Sequence, residues 1–268
     1  MASARVQLSG ASVLLTGATG GLGHAIARAL AGRGAQLTLT GRRADVLRDL
    51  AGELGGRALE CDLASRHAVA ALAQEAARAD VLIANAALPA SGQLTELTQE
   101  QIDRMLEVNL RAPIALAHAL APAMVARGAG HMVFISSLSG KTASPASSLY
   151  SATKFGLRGF ALGARADLAE HGIGVSTILP GFISDAGMFA DTGVRLRRGV
   201  GTRTSGQVAA AVLRVIDEDR AELDVAPLAL RLGAAAGGLA PAAVAAVTRR
   251  LGSHEVAAQM AEHQRGHR

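Results

Sequence analysis

Tyr150 and Lys154 stand four residues apart in the run Tyr150-Ser-Ala-Thr-Lys154. Tyr150 is the only tyrosine of the chain, and Lys154 is one of two lysines, the other being Lys141. On a helix this spacing puts both side chains on one face, one turn apart. The pair has a chemistry. A free phenol titrates near about 10, too high for a proton shuttle at neutral pH. An ammonium within about 4 Å, at an effective dielectric of about 20, favours the phenolate by about 4 kcal/mol. At about 1.36 kcal/mol per pKa unit, that lowers the phenol by about three. The same spacing also suits a solvated helix face, so the pair counts only if other residues build a site around it.

A second stretch with chemical meaning is Thr16-Gly-Ala-Thr-Gly-Gly-Leu-Gly23. Glycines there let the backbone turn sharply and approach a pyrophosphate, and the helix that follows supplies free amides and the positive end of its dipole. The spacing is Gly-x-x-x-Gly-x-Gly rather than Gly-x-Gly-x-x-Gly.

These stretches need a scaffold. Short apolar runs at 12–16, 36–40, 57–61, 80–84, 131–135, 174–179 and 221–225 predict strands. Between them, 25–33, 44–54, 65–78, 98–127, 148–171 and 205–219 predict helices, with Ser65 as a cap and Pro113 and Pro122 as kinks or boundaries. Residues 182–204 read as irregular. Strands alternating with helices give an α/β fold: a Rossmann-like, doubly wound parallel sheet in three α/β/α layers. No linker divides residues 1–226, which form one expected domain with a lid at 182–204; residues 227–268 form a helical extension and a polar tail.

Composition sets the outer bounds. The 268 residues are 50% hydrophobic, enough for a sizeable core, and only 2% aromatic, too few for base-stacking platforms. The net charge of +5 is spread along the chain as arginine, which argues against a nucleic-acid partner. Cys61 is the only cysteine, so no intrachain disulfide and no cysteine zinc site can form. It reads as a small strand residue. His24, His118 and His131 read as surface or packing residues; His254, His263 and His267 lack metal-ligand spacing, and no metal is expected. The N-terminus has no charged-then-apolar signal segment, so a cytoplasmic, reducing setting is expected.

The chain resembles the short-chain dehydrogenase/reductase (SDR) family over about residues 10–226. The resemblance is carried by the glycine run with its leading Thr16, Tyr150-x-x-x-Lys154, Ser137, Asn85, Asn109 in Val-Asn-Leu, Asp62 and Pro180-Gly181. It implies an NAD(P)-dependent oxidoreductase moving a hydride between nicotinamide and a carbonyl or secondary alcohol. Tyr150 is then proton donor in reduction and base in oxidation. Lys154 lowers its pKa and bonds the nicotinamide ribose. Ser137 holds the substrate oxygen, and Asn109 anchors a water linking Lys154 to solvent. The implied cofactor contacts are Gly17, Thr19, Gly20, Gly21, Leu22, Gly23, Asp62, Leu63, Asn85, Ala86, Tyr150, Lys154, Pro180, Gly181 and Ile183. A homodimer or homotetramer is implied as well. Two positions depart from the family pattern: Asn85 sits in Ala-Asn-Ala-Ala, and Ile183-Ser184-Asp185 stands where a threonine is common, leaving Ser184 as a substitute and Asp185 unexpected.

Cofactor choice is read at the end of the second strand, Thr40-Gly41-Arg42-Arg43. No carboxylate there repels a 2′-phosphate, and Arg42, with Arg43 beside it, can pair with one. NADP(H) is expected, with NAD as the alternative. The lid carries Phe182, Ile183, Met188, Phe189, Val194 and Leu196 beside Arg195, Arg197 and Arg198, which points to an apolar carbonyl or alcohol substrate. Within the class, a 3-oxoacyl-(carrier protein) reductase is the alternative; outside it, a non-catalytic dinucleotide-binding regulator, which would be expected to lose Tyr, Lys or Ser. Residues 228–251 are apolar but broken by Arg231, Gly237-Gly238 and Pro241, so a spanning helix is not expected. A lid, a subunit contact and membrane-surface contact all remain open for them.

Overall fold

Alternation along each strand decides how the sheet is covered. Seven strands, β1 (Ser12–Thr16), β2 (Gln36–Gly41), β3 (Arg57–Glu60), β4 (Val81–Ala84), β5 (Gly130–Ile135), β6 (Ile173–Pro180) and β7 (Glu222–Val225), form one sheet in the order β3-β2-β1-β4-β5-β6-β7. Every pairing is parallel. Val13, Leu15, Ile83 and Val133 point to one face, where α1 (Gly21–Ala31), α2 (Ala44–Leu54) and α8 (Ser205–Glu218) pack. Their neighbours Leu14, Leu82, Met132 and Phe134 point to the other, under α3 (Arg66–Glu75), α5 (Ala112–Arg127) and α6 (Ser148–Leu168). Both faces are dry, so the strands are apolar runs rather than half-polar ones. The computed structural model describes residues 6–89, 92–193, 200–242 and 263. Val194, Arg195, Leu196, Arg197 and Arg198 of the expected lid, the stretch 243–251, and His254 and His267 lie outside the described residues.

The strand order turns back at β1, which has β2 on one side and β4 on the other. A crevice opens there, at the carboxyl ends of the strands, where parallel sheets bind ligands. The expected helix over 98–127 is helical throughout but not uniform. After α4 (Gln99–Leu106), residues Glu107–Arg111 wind as a wider π turn before α5. The irregularity thus falls ahead of Pro113, not at it. In regular α geometry the Pro113 ring would press on the carbonyl of Asn109, four residues back, and widening the turn relieves that contact. Pro122 sits inside α5 without ending it. The expected irregular loop 182–204 contains a short helix, α7 (Gly187–Ala190), and α9 (Leu228–Leu239) follows β7.

At the opposite sheet edge His131 is 1% exposed, with its Nε2 2.8 Å from the Ser176 hydroxyl, which itself donates to Arg220 O. Burial, only partly offset by Asp219 and aided by Arg165, pushes the His131 pKa down to about 4. The neutral ring is the folded form. Between pH 6.5 and about 4 the unfolded chain binds a proton that the folded one refuses, so stability present above 6.5 is lost as pH falls. At about 1.36 kcal/mol per pH unit the loss reaches about 3 kcal/mol. Urea midpoints at pH 7.5 and 4.5 are expected to differ more for the wild type than for His131→Gln; equal pH slopes would contradict this.

Candidate functional site

The carboxyl ends of β1 and β4 are tied by one hydroxyl. Thr16 Oγ1 accepts from the backbone N–H of Asn85 at 3.1 Å and of Ala86 at 3.2 Å. Asn85 returns the contact, its Nδ2 donating to Thr16 O and to Gly17 O at 3.1 Å each, while its Oδ1 is buried without a partner among the described residues. Gly17 then turns with φ +66°, and a Cβ there would lie 2.7 Å from Ala86 Cα. Only glycine fits both the conformation and the gap. Gly23 plays the second structural part: its Cβ would lie 2.2 Å from Gly17 O, so the glycine lets α1 close onto the loop. α1 begins without a side-chain cap and without an acid in its first turn, which leaves its amide end open toward the crevice.

A cavity of about 1500 Å³ occupies this edge of the sheet. Gly17, Thr19, Gly20, Gly21, Leu22 and Gly23 line one end, with Arg42 and Arg43 after β2 and Asp62 and Leu63 after β3. Asn85, Ala86, Ser137, Tyr150, Lys154, Pro180, Gly181 and Ile183 continue the wall. The anticipated set therefore gathers around one space, with one exception. Asn109 stands behind the wall, 1% exposed, with Nδ2 donating to Leu88 O at 3.0 Å and Oδ1 accepting from Leu88 N at 2.7 Å. Arg43 donates to Thr19 O and so braces the glycine loop. Arg42, exposed on the cavity rim, has no hydrogen bond or ion pair among the described residues. Asp62 turns its carboxylate to Ala64 N at 3.1 Å. Cys61, 5% exposed, also borders the cavity, but burial and Asp62 push its thiol up to about 11, so it is not a nucleophile at neutral pH.

Helix α6 delivers the central pair. Tyr150 lies in its first turn and Lys154 one turn on, and the Lys154 Nζ sits 5.6 Å from the Tyr150 ring centroid. Ser137, just past β5, neighbours the Tyr150 hydroxyl, and its side chain favours the phenolate. Its own Oγ accepts from Ser139 N at 3.1 Å and lies 3.5 Å from Pro180 O. The Lys154 ammonium, 2% exposed, donates to Ile135 O at 3.0 Å. Here the electrostatics correct the sequence argument. Burial pushes Tyr150 up to about 12, the neighbouring Ser137 side chain offsetting only part, and burial brings Lys154 down to about 8. Attraction between the pair favours the phenolate, but desolvation disfavours charge on both partners and outweighs it. The phenol is thus a proton donor across the neutral range.

Several contributors carried no motif. Ser136 donates to Lys154 O at 3.1 Å, and a Cβ on Gly140 would lie 2.8 Å from both that carbonyl and the Ser136 hydroxyl, so the turn after β5 is pressed against α6. Ser184 is not the substitute threonine: it faces Arg203 O and is absent from the cavity wall. Asp185 has a local task, accepting from Ser205 N at 2.8 Å and Ser205 Oγ at 2.9 Å at the start of α8.

The short chain dehydrogenase family model matches residues 11–196. The protein belongs to the short-chain dehydrogenase/reductase family. It is an oxidoreductase of the nicotinamide-dependent kind, on the fold that the strand pattern predicts. Among relatives, a ketoacyl reductase, HetN, of Nostoc sp. is 33% identical over 227 residues, covering 81% of this chain and 79% of its own. A short-chain dehydrogenase of Sphingobium yanoikuyae, solved in complex with NADPH, superimposes with a TM-score of 0.76 at 30% identity, covering 85% of this chain and 93% of that one. A metagenomic short-chain oxidoreductase solved with NADP gives 0.70 at 34% identity, covering 83% and 99%.

Proposed function

We propose that this SDR is an NADP(H)-preferring reductase of apolar carbonyl compounds, with Tyr150 as the proton donor. The observation that carries it is the gathering of Tyr150, Lys154 and Ser137 on one cavity with the open end of α1 and the unpaired Arg42. The residues fit a dinucleotide phosphate. Gly17 leaves no room for a side chain, the amide end of α1 is uncapped, and Asn85 Oδ1 is a buried acceptor in want of a donor. Arg42 supplies a planar cation for a 2′-phosphate. Relatives solved with NADPH and NADP support the same choice. When bound, NADP(H) exchanges a hydride with the carbonyl carbon.

The chain's own residues do the rest. The Ser137 hydroxyl holds the carbonyl oxygen beside the Tyr150 hydroxyl, which gives its proton to that oxygen. Lys154, fixed on Ile135 O, places a positive charge behind the phenolate that forms. Asn109 holds the path by which the proton is replaced. Its side chain is fixed on Leu88, and its backbone carbonyl lacks the usual helical donor, because Pro113 has no N–H. That carbonyl is the seat for the relay water.

The substrate end of the cavity is walled by Leu138, Phe182, Met188, Phe189, Val200 and Leu230, an apolar set. Phe182 and Phe189 pack with ring centroids 4.9 Å apart. A second reading, a 3-oxoacyl-(carrier protein) reductase, is favoured by the likeness to a ketoacyl reductase. NADPH oxidation measured with aryl and long-chain ketones, small sugars and 3-oxoacyl thioesters of carrier protein tests both. Turnover of the apolar ketones above the others is expected. Turnover confined to small polar carbonyls would overturn the apolar reading, and a dominant rate on carrier thioesters would replace it with the second. No turnover by intact, NADPH-binding protein would favour a regulator.

A further inference from the structure

The cavity extends past Tyr150 to a wall that no motif describes, helix α9. Its small residues differ in what surrounds them. Leu230 and Ala234 pack inward on Leu138, Leu179 and Ala226. Gly237 follows on the same inner stripe, and a Cβ there would lie 2.2 Å from the Thr142 hydroxyl. That glycine is a docking point and has no room to grow. Gly233 is the opposite case: among the described residues a Cβ there would meet nothing within 4 Å. Its φ is not positive, so an L side chain meets no backbone strain.

Direction follows from helix geometry. At 3.6 residues per turn, the side-chain direction of position 233 falls between those of Leu230 and Ala229. Both of those residues line the cavity, and so does Gly233 itself. Gly233 and Ala229 are exposed, so a side chain at 233 would stand at the mouth of the cavity, beside Leu230. Glycine in a helix interior costs about 1 kcal/mol relative to alanine, so filling this position favours the helix.

We propose that α9 is the gauge of substrate size and that Gly233 is the specificity-determining residue: its bare backbone leaves room for the larger substituent of a bulky ketone. This rests on the carbonyl-reductase reading above. One extra methylene in an apolar pocket changes discrimination by about 10–200-fold, so a leucine at 233 has leverage.

The test compares wild type, Gly233→Ala and Gly233→Leu on two ketones, one with two small substituents and one with a bulky aryl or long alkyl substituent. Each is assayed by NADPH oxidation, alongside NADPH affinity by fluorescence and thermal midpoint. Expected is a fall in the bulky-to-small ratio of kcat/KM of at least about tenfold in Gly233→Leu, a smaller fall in Gly233→Ala, and unchanged NADPH affinity with no loss of thermal midpoint. An unmoved ratio in folded, NADPH-binding variants overturns the inference and leaves the functional reading intact. A wild type that binds NADPH but turns over neither ketone overturns both. If Gly233→Leu is destabilised, the inference stands or falls on the ratio measured with Gly233→Ala.

Discussion

Tyr150→Phe is expected to bind NADPH as the wild type does and to reduce ketones about 10²–10⁴-fold more slowly, the range that a positioned general acid supplies. The substitution removes one hydroxyl and keeps the ring. The ring lines the cavity from the first turn of α6, so the fold has little stake in the lost oxygen. What goes is the proton that burial holds on the phenol, with its pKa pushed up to about 12. Ser137 still donates to the carbonyl oxygen, which is why some rate remains. The loss belongs in kcat, since the hydroxyl contributes most as charge develops. In the wild type the reduction rate is expected to decline as pH rises through about 8, where Lys154 gives up its proton and the forming phenolate loses its cation. A Phe variant with rates within a few-fold of wild type, or a rate that climbs above pH 8, would remove Tyr150 from its role.

The motifs were legible because their residue types cannot be exchanged. Gly17 needs a left-handed φ and no Cβ, Tyr150 and Lys154 need helical spacing, and dry strands need apolar runs, so each leaves a mark in the sequence. The strand order follows from right-handed crossovers once the alternation is seen. Other features leave no local mark. Thr16 matters through amides 69 and 70 positions away, and Ser136 through a carbonyl 18 away, distances that only the fold closes. The sign of the Tyr150 perturbation depends on how much water the site excludes, which pairwise spacing does not contain. The π turn could have been anticipated, since Pro113 stands four residues after Asn109. The role of α9 could not, because its small residues read alike until Thr142 and the cavity separate Gly237 from Gly233.

Arg42→Ala is expected to raise the KM for NADPH about 10–100-fold and to leave that for NADH nearly unchanged. A hydrogen bond to a charged group contributes about 1.5–3 kcal/mol, and a 2′-phosphate offers a guanidinium two such bonds in one plane. Solvent at the exposed rim holds the gain toward the lower end of that range, and added salt is expected to shrink it further. Removal of Arg42 breaks no hydrogen bond or ion pair among the described residues, so loss of fold is not a competing cause. Its neighbour provides the contrast. Arg43 donates to Thr19 O in the glycine loop, so Arg43→Ala is expected to weaken NADPH and NADH alike through the shared pyrophosphate seat. Arg42→Asp carries the argument to its end. A carboxylate at the tip of β2 repels the 2′-phosphate and accepts from the ribose hydroxyls of NADH, so the preference is expected to reverse. Equal effects of Arg42→Ala on both cofactors would sink the assignment of the 2′-phosphate to this side chain.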